Sequence, residues 1–372
     1  MIDLAVPFSM DPQRFAQRVG SWLQVEGPEA DVVVSCRVRL ARNIDGYPFI
    51  LRLDDAQARE LSDKLRGVLA EQRLDGETVW VGMEEAPPIV RLLLRERYLV
   101  SRDLAPTDPR FPVRPGRGVA FGENETLSIM VNEEDHLRLQ GLSPGYSLQE
   151  AWKRVRDLDQ RLEAQLPFAH SADFGYLTGC PTNVGTGLRA SVMMHLPALG
   201  HAKNELEKVF NAAQRTGLAV RGMYGEGSRA AGDLYQVSNQ VTLGASEEDL
   251  ISELEELVPC IVDFERRVRK VLLAEQREAL EDRVRRSYGM LRTARSLATE
   301  VALMHLSNVR LGAVLGILAG LSTAELNQIS VQIQKGHVHM LVGGGTGRLS
   351  EATERDKQRA AFLRRRFAEF SA

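Results

Sequence analysis

The chain has 372 residues, of which 44% are hydrophobic and 26% are charged, and its formal net charge at pH 7 is −3. This length suggests two domains, and the composition is typical of a soluble globular protein. So small a net charge gives no global field that favours nucleic acid or an anionic membrane. The three cysteines are odd in number and far apart, which predicts neither a disulfide framework nor a metal site and indicates a reducing cytoplasm.

Neither the N-terminal segment nor the most apolar run predicts a membrane segment. The segment MIDLAVPFSMDPQRF lacks a basic region followed by a long apolar stretch, so no signal peptide is expected. The run LGAVLGILAGL at residues 311–321 is too short to span a bilayer and predicts a buried helix. The expected location is therefore the cytoplasm.

Strands and helices are mixed over roughly the first 250 residues. Helices are predicted around residues 15–25 and at residues 54–73, 148–166 and 203–216, the last ending at Gly217. Strands are predicted at residues 31–40, 126–135, 189–196, 218–227 and 234–243. This mixture fits an α+β domain better than regular βαβ winding.

The pattern changes near residue 247, where strand signals nearly vanish and helical periodicity begins. Ser246 is a plausible N-cap, and the acidic residues after it suit the positive end of a helix dipole. We therefore predict a mixed domain at residues 1–254 and an all-α domain at residues 255–372. The glycine-rich GGGTGR at residues 343–348 is interpreted as a loop before the last helix.

The first motif with chemical content is VSCRVRL, at residues 34–40. Strand alternation places Ser35, Arg37 and Arg39 on one face and the apolar side chains between them on the other. Two guanidinium groups about 7 Å apart on one face repel each other, so they need an anion or solvent between them. An exposed edge strand with solvated arginines is the alternative.

The second motif is MVNEEDHLR, in which three carboxylates follow an apolar strand. Crowding Glu133, Glu134 and Asp135 at a strand end raises their pKa values unless a cation is present. A metal, a cationic substrate or a general-base role would each explain them, and a solvated turn is the alternative. Arg138 follows within one turn.

Two glycine-rich segments supply further arginines. CPTNVGTGLR has Arg189 after its glycines but lacks the lysine of a Walker A loop, and VRGMYGEGSR contains Arg221 and Glu226. An ordinary hairpin is the alternative for the second segment. Because arginine forks bind phosphate oxygens in pairs, these arginines can replace the missing lysine, and the carboxylates can hold Mg²⁺ and orient a nucleophile. The pattern predicts a phosphoryl-transfer site.

These four blocks, in this order over roughly residues 30–255, resemble the phosphagen (guanidino) kinases. The resemblance implies an antiparallel sheet flanked by helices, with ATP and Mg²⁺ as cofactors and no direct protein ligand for the metal. It implies that ATP is bound by Ser35, Cys36, Arg37, Val38, Arg39, Arg138, Arg189, Ala190, Ser191, Val192, Met193, Arg221, Gly222, Met223, Tyr224 and Gly225. It also implies four catalytic residues: Glu134 as the carboxylate base, Glu133 through magnesium-bound water, Glu226 as a second carboxylate and Cys180 as a thiolate.

The chain departs from the small-guanidine kinases in ways that resemble the bacterial protein-arginine kinases of the McsB type. Only some thirty residues precede the first motif, and GYPF, MMHLPAL and QVSNQVTLG are similar to that branch. The motif RDKQRA implies a regulatory phosphoarginine pocket formed by Arg355, Asp356, Lys357, Gln358, Arg359 and Ala360. The adenine-side histidine of the family is not evident, and Tyr98 is the candidate for that region.

The resemblance implies an ATP-dependent protein arginine phosphotransferase that marks misfolded proteins or a stress-gene repressor for a Clp-type protease. A zinc-containing activator protein and allosteric regulation are expected with it. Two alternatives stay open: a small-guanidine kinase and an inactive adaptor that binds phosphoarginine. Cys36 and Cys260 are expected in the core. A homodimer is expected through the apolar stripes of the helical domain, because they exceed what a thin layer on one subunit buries: Val309, Leu311, Val314, Leu315 and Leu318.

Overall fold

The computed structural model describes residues 10–108, 110–222, 231–347 and 349–370. Residues Met223, Tyr224, Gly225 and Glu226, which the sequence places in the site, lie outside the described residues. The elements up to residue 195 are α1 (Pro12–Gln17), α2 (Ser21–Gln24), β1 (Val33–Arg42), α3 (Asp55–Ala70), β2 (Thr78–Gly82), α4 (Pro88–Glu96), β3 (Gly118–Gly122), β4 (Leu127–Val131), β5 (Leu137–Pro144), α5 (Leu148–Glu163), β6 (His170–Ser171), β7 (Gly175–Tyr176) and β8 (Leu188–His195). They are followed by α6 (Pro197–His201), α7 (Lys203–Arg215), β9 (Leu218–Gly222), β10 (Leu234–Asn239), α8 (Glu247–Glu275), α9 (Arg277–Thr293), α10 (Thr299–Val314), α11 (Thr323–Gln332), α12 (Lys335–Leu341) and α13 (Ala352–Ala368).

Within the described residues, eight strands form one antiparallel sheet in the order β2-β3-β4-β5-β1-β8-β10-β9. One face of this sheet packs against α3, α5 and α8, and the main hydrophobic core lies there. Side-chain alternation along β1 explains why the core lies on this face. Cys36, Val38 and Leu40 are fully buried there, and the arginines between them point to the other face. The predicted α+β fold with an antiparallel sheet flanked by helices is confirmed.

Helix α8 begins where the sequence predicts. Ser246 Oγ accepts a hydrogen bond from Asp249 N at 3.1 Å, and the Asp249 carboxylate accepts one from Ser246 N at 3.0 Å, which is a capping box. Every described regular element after this point is a helix. The residues 343–347 form a loop before α13, as expected.

The predicted domain boundary at residue 254 falls inside the continuous helix α8. Buried side chains of α8 as far as Val262 belong to the sheet core, whereas a second core begins at Leu280 in α9 and is completed by α10, α11 and α13. We therefore propose that the two parts of the chain meet near Gln276, where α8 ends. The helices beyond it contact helices of the first part, with α11 against α2 and α12 against α4.

One expectation about apolar groups is wrong, and another, the homodimer, stays a prediction but loses the observation that motivated it. Cys36 is in the core, but Cys260 is exposed on α8. Val309, Leu311 and Leu318 are buried inside the chain's own second core, so the apolar excess that motivated a homodimer is not present there. The predicted helix over residues 311–321 ends at Val314. No described helix is both long enough and apolar enough to cross a membrane.

Candidate active site

Arginines from adjacent central strands converge on the sheet face opposite the main core. In the antiparallel register, Arg39 of β1 lies opposite Arg189 of β8, and Ala41 of β1 lies opposite Arg138 of β5. Arg37 is two residues before Arg39 and therefore projects from the same face. The alternation in VSCRVRL and the pairing of these strands thus gather four guanidinium groups in one place.

The fifth arginine, Arg221, is on the edge strand β9 and joins this group through β10. Arg221 lies opposite Gln236 in the ladder, and Gln236 Oε1 accepts a hydrogen bond from Arg37 Nη2 at 3.3 Å. Burial and then the nearby Arg221 cation lower the pKa of Arg189. The five predicted phosphate-binding arginines are therefore electrostatic neighbours.

Two of the three arginines of β1, Arg37 and Arg39, have side chains whose hydrogen bonding is incomplete in the described part of the chain. Burial lowers the pKa of Arg37 to about 10, and burial together with Arg37, Arg138 and Arg189 lowers the pKa of Arg39 well below its ordinary value. The Nε atoms of both are shielded from solvent and have no hydrogen-bond partner within the described part of the chain. Unpaired buried cations are costly, so this arrangement favours binding of an anion.

The acidic loop between β4 and β5 is organised by one arginine fork. Arg138 Nη1 lies 2.7 Å from Glu133 Oε2, and its Nη2 lies 2.7 Å from Glu134 Oε2. Glu133 is buried and also accepts a hydrogen bond from Ser101 Oγ at 2.6 Å, whereas the Glu134 side chain is 42% exposed. The two carboxylates are thus held differently, and Glu134 is the one that is accessible to a substrate.

Asp135, the third carboxylate, has a structural role. It is fully buried, and its Oδ1 accepts hydrogen bonds from Asn43 Nδ2 at 2.7 Å and Gly179 N at 2.6 Å. Burial raises its pKa, while these donors oppose the rise. Because Gly179 precedes Cys180, Asp135 fixes the backbone beside the predicted thiolate.

Cys180 is the last predicted catalytic residue that the structure describes. Its Sγ lies 3.1 Å from Thr182 Oγ1, and it shares a cavity of about 180 Å³ with Glu134 and with three of the arginines. The lining residues of this cavity are Arg39, Ala41, Glu134, Arg138, Cys180, Thr182, Asn183, Gly187 and Arg189. Cations, an accessible carboxylate and a thiol therefore meet in one small polar space.

A larger cavity of about 990 Å³ adjoins Arg37 and extends toward α10 and α12. Tyr98, Met193 and Gln236 line it, so Tyr98 lies beside the same cavity as Arg37, and its contact with the adenine stays a prediction. Ser35 and Ser191 line a neighbouring apolar cavity next to Arg37. The described residues contain no group of three or more His, Cys, Asp or Glu side chains that could hold a metal ion.

Other predicted nucleotide-binding residues point away from these cavities. The side chains of Cys36, Val38, Ala190 and Val192 are fully buried in the main core, on the opposite face of the sheet. Burial raises the pKa of Cys36 to about 12. Contact of these residues with a nucleotide is therefore restricted to their backbone atoms, because strand alternation turns their side chains away.

Two family models match this chain, one on each side of the end of α8. Residues 60–268 match the family model described as ATP:guanido phosphotransferase, C-terminal catalytic domain, and residues 277–372 match the Protein-arginine kinase McsB C-terminal domain. A protein-arginine kinase of Halothermothrix orenii is 42% identical over 94% of this chain and 97% of its own length. The chain belongs to the protein-arginine kinase family.

A second relative and a solved structure are also similar to this chain. A protein-arginine kinase of Moorella thermoacetica is 44% identical over 94% of this chain and 97% of its own length. The solved structure of the duplicated taurocyamine kinase from Schistosoma mansoni, with bound transition state analogue components, aligns with a TM-score of 0.58 and 26% identity over 68% of this chain and 35% of that chain. The phosphagen-kinase fold expected from the four blocks is confirmed.

Sequence reasoning missed several residues that shape this protein-arginine kinase site. Ser101 holds Glu133, Gln236 holds Arg37, and Asn239 Oδ1 accepts a hydrogen bond from Ala190 N at 2.8 Å. Asn239 O also accepts one from Arg189 Nη1 at 3.3 Å. The block QVSNQVTLG contains two of these residues, and the polar side chains of its alternating strand were the available signal.

The predicted regulatory residues of RDKQRA lie on α13, away from this site. Arg359 is 1% exposed and Ala360 is fully buried, whereas Lys357 is exposed. The Arg359 guanidinium donates to Leu297 O at 2.7 Å, Ile333 O at 2.8 Å and Asp356 Oδ1 at 2.6 Å. Arg359 therefore links α13 to the segments of Leu297 and Ile333, and its side chain is not exposed.

Proposed function

We propose that this protein transfers the terminal phosphoryl group of ATP to arginine side chains of proteins. The observation that carries the proposal is the set of three arginines, Arg39, Arg138 and Arg189, that line one cavity together with Glu134 and Cys180. Clustered cations favour a polyanion, and an accessible carboxylate on the same wall favours a cationic acceptor. ATP and a guanidinium group fit these two requirements together.

The arginines would bind and orient the phosphates. Arg39, Arg138 and Arg189 line the small cavity, so their forks would contact the phosphoryl group in transfer. These side chains are held before ATP arrives, because the sheet fixes their backbones, and little reorganisation is needed at the moment of reaction. Mg²⁺, bound through ATP and water near Glu133, would offset the charge on the phosphates.

The acceptor guanidinium would lie between Glu134 and Cys180. A guanidinium is a poor nucleophile because it holds its proton above about pH 12. Glu134 would align it and accept the proton as the nitrogen–phosphorus bond forms and the bond from phosphorus to ADP breaks. Glu226 is proposed as the second aligning carboxylate and Cys180 as the negative neighbour of the guanidinium.

The remaining contacts with ATP are proposed from the residues that lie around the cavity beside Arg37. The large cavity beside Arg37 has room for the nucleoside, and Tyr98, Met193 and Gln236 offer it an aromatic face, an apolar side chain and an amide. Ser35, Ser191 and Gly222 are proposed to contact the nucleotide from the same side. Met223, Tyr224 and Gly225 complete the proposed set.

Other parts of the proposal rest on family similarity. We infer a cytoplasmic enzyme of the stress response that marks its targets for a Clp-type protease and works with a zinc-containing activator protein. Phosphoarginine binding at RDKQRA would regulate it allosterically, with Arg355 as the principal ligand because Arg359 is engaged internally. A homodimer through the helical part remains part of this proposal.

The test is mass spectrometry of an unfolded protein after incubation with the enzyme and Mg·ATP, under conditions that preserve acid-labile nitrogen–phosphorus bonds. Glu134→Gln should lower the rate of phosphoarginine formation by about a hundredfold, the order expected for a lost general base, whereas Glu278→Gln, an exposed carboxylate on α9, should not. Free arginine as the better acceptor would favour a small-guanidine kinase. Phosphoarginine binding without ATP turnover would favour an inactive adaptor.

A further inference from the structure

Residues 96–101 lead from the C-terminal end of α4 toward the acidic loop between β4 and β5. We call this segment the α4 connector. Its first residue, Glu96, contacts α12 of the helical part, and its last residue, Ser101, contacts Glu133. The connector therefore touches both the helical part of the chain and the loop that carries the proposed catalytic carboxylates.

The hydroxyl of Ser101 is oriented by two hydrogen bonds. Its Oγ accepts one from Leu104 N at 3.0 Å and donates one to Glu133 Oε1 at 2.6 Å. A hydroxyl has a single proton, and an ionised carboxylate only accepts hydrogen bonds, so the proton points to Glu133. The backbone of Ser101 is held as well, because its N donates to the sulfur of Met130, on strand β4, at 3.3 Å.

The Ser101 hydroxyl holds Glu133, and Glu133 holds the rest of the acidic loop. The second oxygen of Glu133, Oε2, lies 2.7 Å from Arg138 Nη1 and accepts a hydrogen bond from Glu134 N at 3.0 Å. Arg138 Nη2 in turn lies 2.7 Å from Glu134 Oε2. Because Glu133 is engaged at both oxygens, this series of contacts sets where the accessible carboxylate of Glu134 lies.

Glu96, at the other end of the connector, binds the first turn of α12. Its Oε1 accepts a hydrogen bond from Gly336 N at 2.8 Å, and its Oε2 accepts one from His337 N at 3.1 Å and lies 2.7 Å from His337 Nδ1. Backbone N–H groups in the first turn of a helix have no partner within that helix, so this carboxylate satisfies them. Met340 of α12 packs in the same core cluster as Leu93 of α4, so apolar contact also attaches the two helices.

The middle of the connector is compact and held by the sheet. Arg97 is fully buried and makes a bidentate pair with Glu125, at 3.0 and 2.6 Å. Tyr98 has a left-handed backbone with a φ of 60°, and its O accepts a hydrogen bond from Gln140 Nε2 at 2.7 Å. A residue other than glycine keeps this conformation only where its surroundings hold it. A shift at one end of the connector is therefore passed along this short, braced segment to the other end.

We propose that Ser101 is a positioning residue for phosphoryl transfer, and that the α4 connector makes the position of Ser101 depend on α12. This inference rests on the proposed roles of Glu133 and Glu134. A carboxylate that aligns a guanidinium and accepts its proton must be held within about 0.5 Å of its productive position, so loss of a supporting hydrogen bond lowers the rate. In this way the helical part contributes to the catalytic geometry through α12.

The first experiment measures kcat and KM with Mg·ATP and an unfolded protein as acceptor, at a temperature well below melting. Ser101→Ala should lower kcat by about tenfold, the order for loss of a residue that orients a catalytic group, and change the KM values for ATP and acceptor by less than about threefold. Ser101→Thr keeps the hydroxyl, so its kcat should stay within about threefold of the wild type. Thr78→Val is the matched control, because the Thr78 hydroxyl likewise accepts from a backbone N–H, that of Leu74, but donates to a backbone carbonyl, that of Gln72.

The second experiment tests the connector with a double-mutant cycle. Glu96→Gln weakens the contact with α12 and should lower kcat by about fivefold, whereas Glu278→Gln, at an exposed position, should not. If Glu96 acts through Ser101, the double variant with Glu96→Gln and Ser101→Ala should have the kcat of Ser101→Ala alone. Independent contributions would instead multiply to about fiftyfold.

An unchanged kcat of Ser101→Ala would overturn the inference. A kcat of Ser101→Thr as low as that of Ser101→Ala would also overturn it, because the hydroxyl would then not be the group that acts. Losses that multiply in the double variant would remove the link to α12. An active Glu134→Gln variant would remove the proposed function together with this inference, whereas an inactive Glu134→Gln beside a fully active Ser101→Ala would remove this inference alone.

Discussion

Two segments of this protein, VSCRVRL and RDKQRA, each carry two arginines, but the surroundings of these arginines differ. On the sheet face, Arg37 and Arg39 have buried Nε atoms without partners in the described residues. On α13, Arg359 is more deeply buried, but its Nε and Nη1 donate to two backbone carbonyls and to the Asp356 carboxylate. The first pair has donors that the described residues do not satisfy, and the donors of Arg359 are satisfied by the protein.

This difference shows that the partners of a guanidinium group indicate the role of its arginine in this fold. Arg42, on the same strand as Arg39, resembles Arg359, because it makes a bidentate pair with Asp159 at 3.0 and 2.7 Å and donates to Thr186 O at 2.8 Å. A guanidinium whose donors end on the protein holds segments together. A guanidinium whose donors end in a cavity favours a ligand, at some cost in stability.

The sharpest test of the comparison is Arg39→Met. If Arg39 binds phosphate as proposed, its removal should lower kcat by about ten-thousandfold, the order seen for arginines that stabilise a transferring phosphoryl group. The melting temperature without ATP should rise, because a repelled and partly unpaired charge is replaced by an apolar side chain. Steady-state kinetics and calorimetry measure the two effects, with the exposed Arg73→Met as control. A fall in melting temperature with normal kcat would make Arg39 a structural residue.

The two faces of the sheet carry cysteines that we expect to differ in reactivity, and thiol labelling measures this difference. Cys36 lies in the core behind the arginines with its pKa raised to about 12, whereas Cys180 lines the cavity in front of them. At pH 9 the Cys36 thiolate fraction is small, so its alkylation should be about a thousandfold slower than that of Cys180. Peptide mass mapping measures both rates. ATP with substrate should protect Cys180 and leave the exposed Cys260 unaffected, and comparable rates at Cys36 and Cys180 would contradict the assignment of sides.

The reverse test on α13 is Arg359→Met. This change leaves the carbonyls of Leu297 and Ile333 and the Asp356 carboxylate without their donor, so the free energy of unfolding should fall by about 3 kcal/mol. The kcat of the folded enzyme at low temperature should change little. Denaturant titration measures the loss, and Arg285→Met, exposed on α9, is the control. An unchanged free energy of unfolding would show that the internal bonds do not stabilise the fold.

The smallest expected effect separates Arg355 from its neighbour on α13. Arg355→Ala should weaken phosphoarginine binding by about tenfold, through the loss of one charge-assisted contact, with little change in stability. Asp356→Ala should lower both affinity and stability, because Asp356 also holds Arg359. Calorimetric titration with phosphoarginine measures affinity, with Arg365→Ala as control. Equal affinity of the wild type and Arg355→Ala would make RDKQRA a helix surface only.

Local signals predicted much of the fold. Ser246 with Asp249 predicted the start of α8, and the alternation of VSCRVRL predicted which face carries Arg37 and Arg39. Strands β2, β3 and β5 were missed, although β3 is buried along its whole length. Its segment, GVAFG, is short and begins and ends with glycine, so its strand character depends on the neighbours that pair with it.

The sequence alone determined which residue types were available and which side of a strand each would face, because side-chain alternation is a property of the local backbone. Tertiary structure decided what each side chain would meet. Asp135 reaches Gly179 across 44 positions, and Arg359 reaches Leu297 across 62. Whether a buried charge is paired depends on such distant donors and acceptors, and that is why only the folded chain distinguishes an arginine with unsatisfied donors from one that holds helices together.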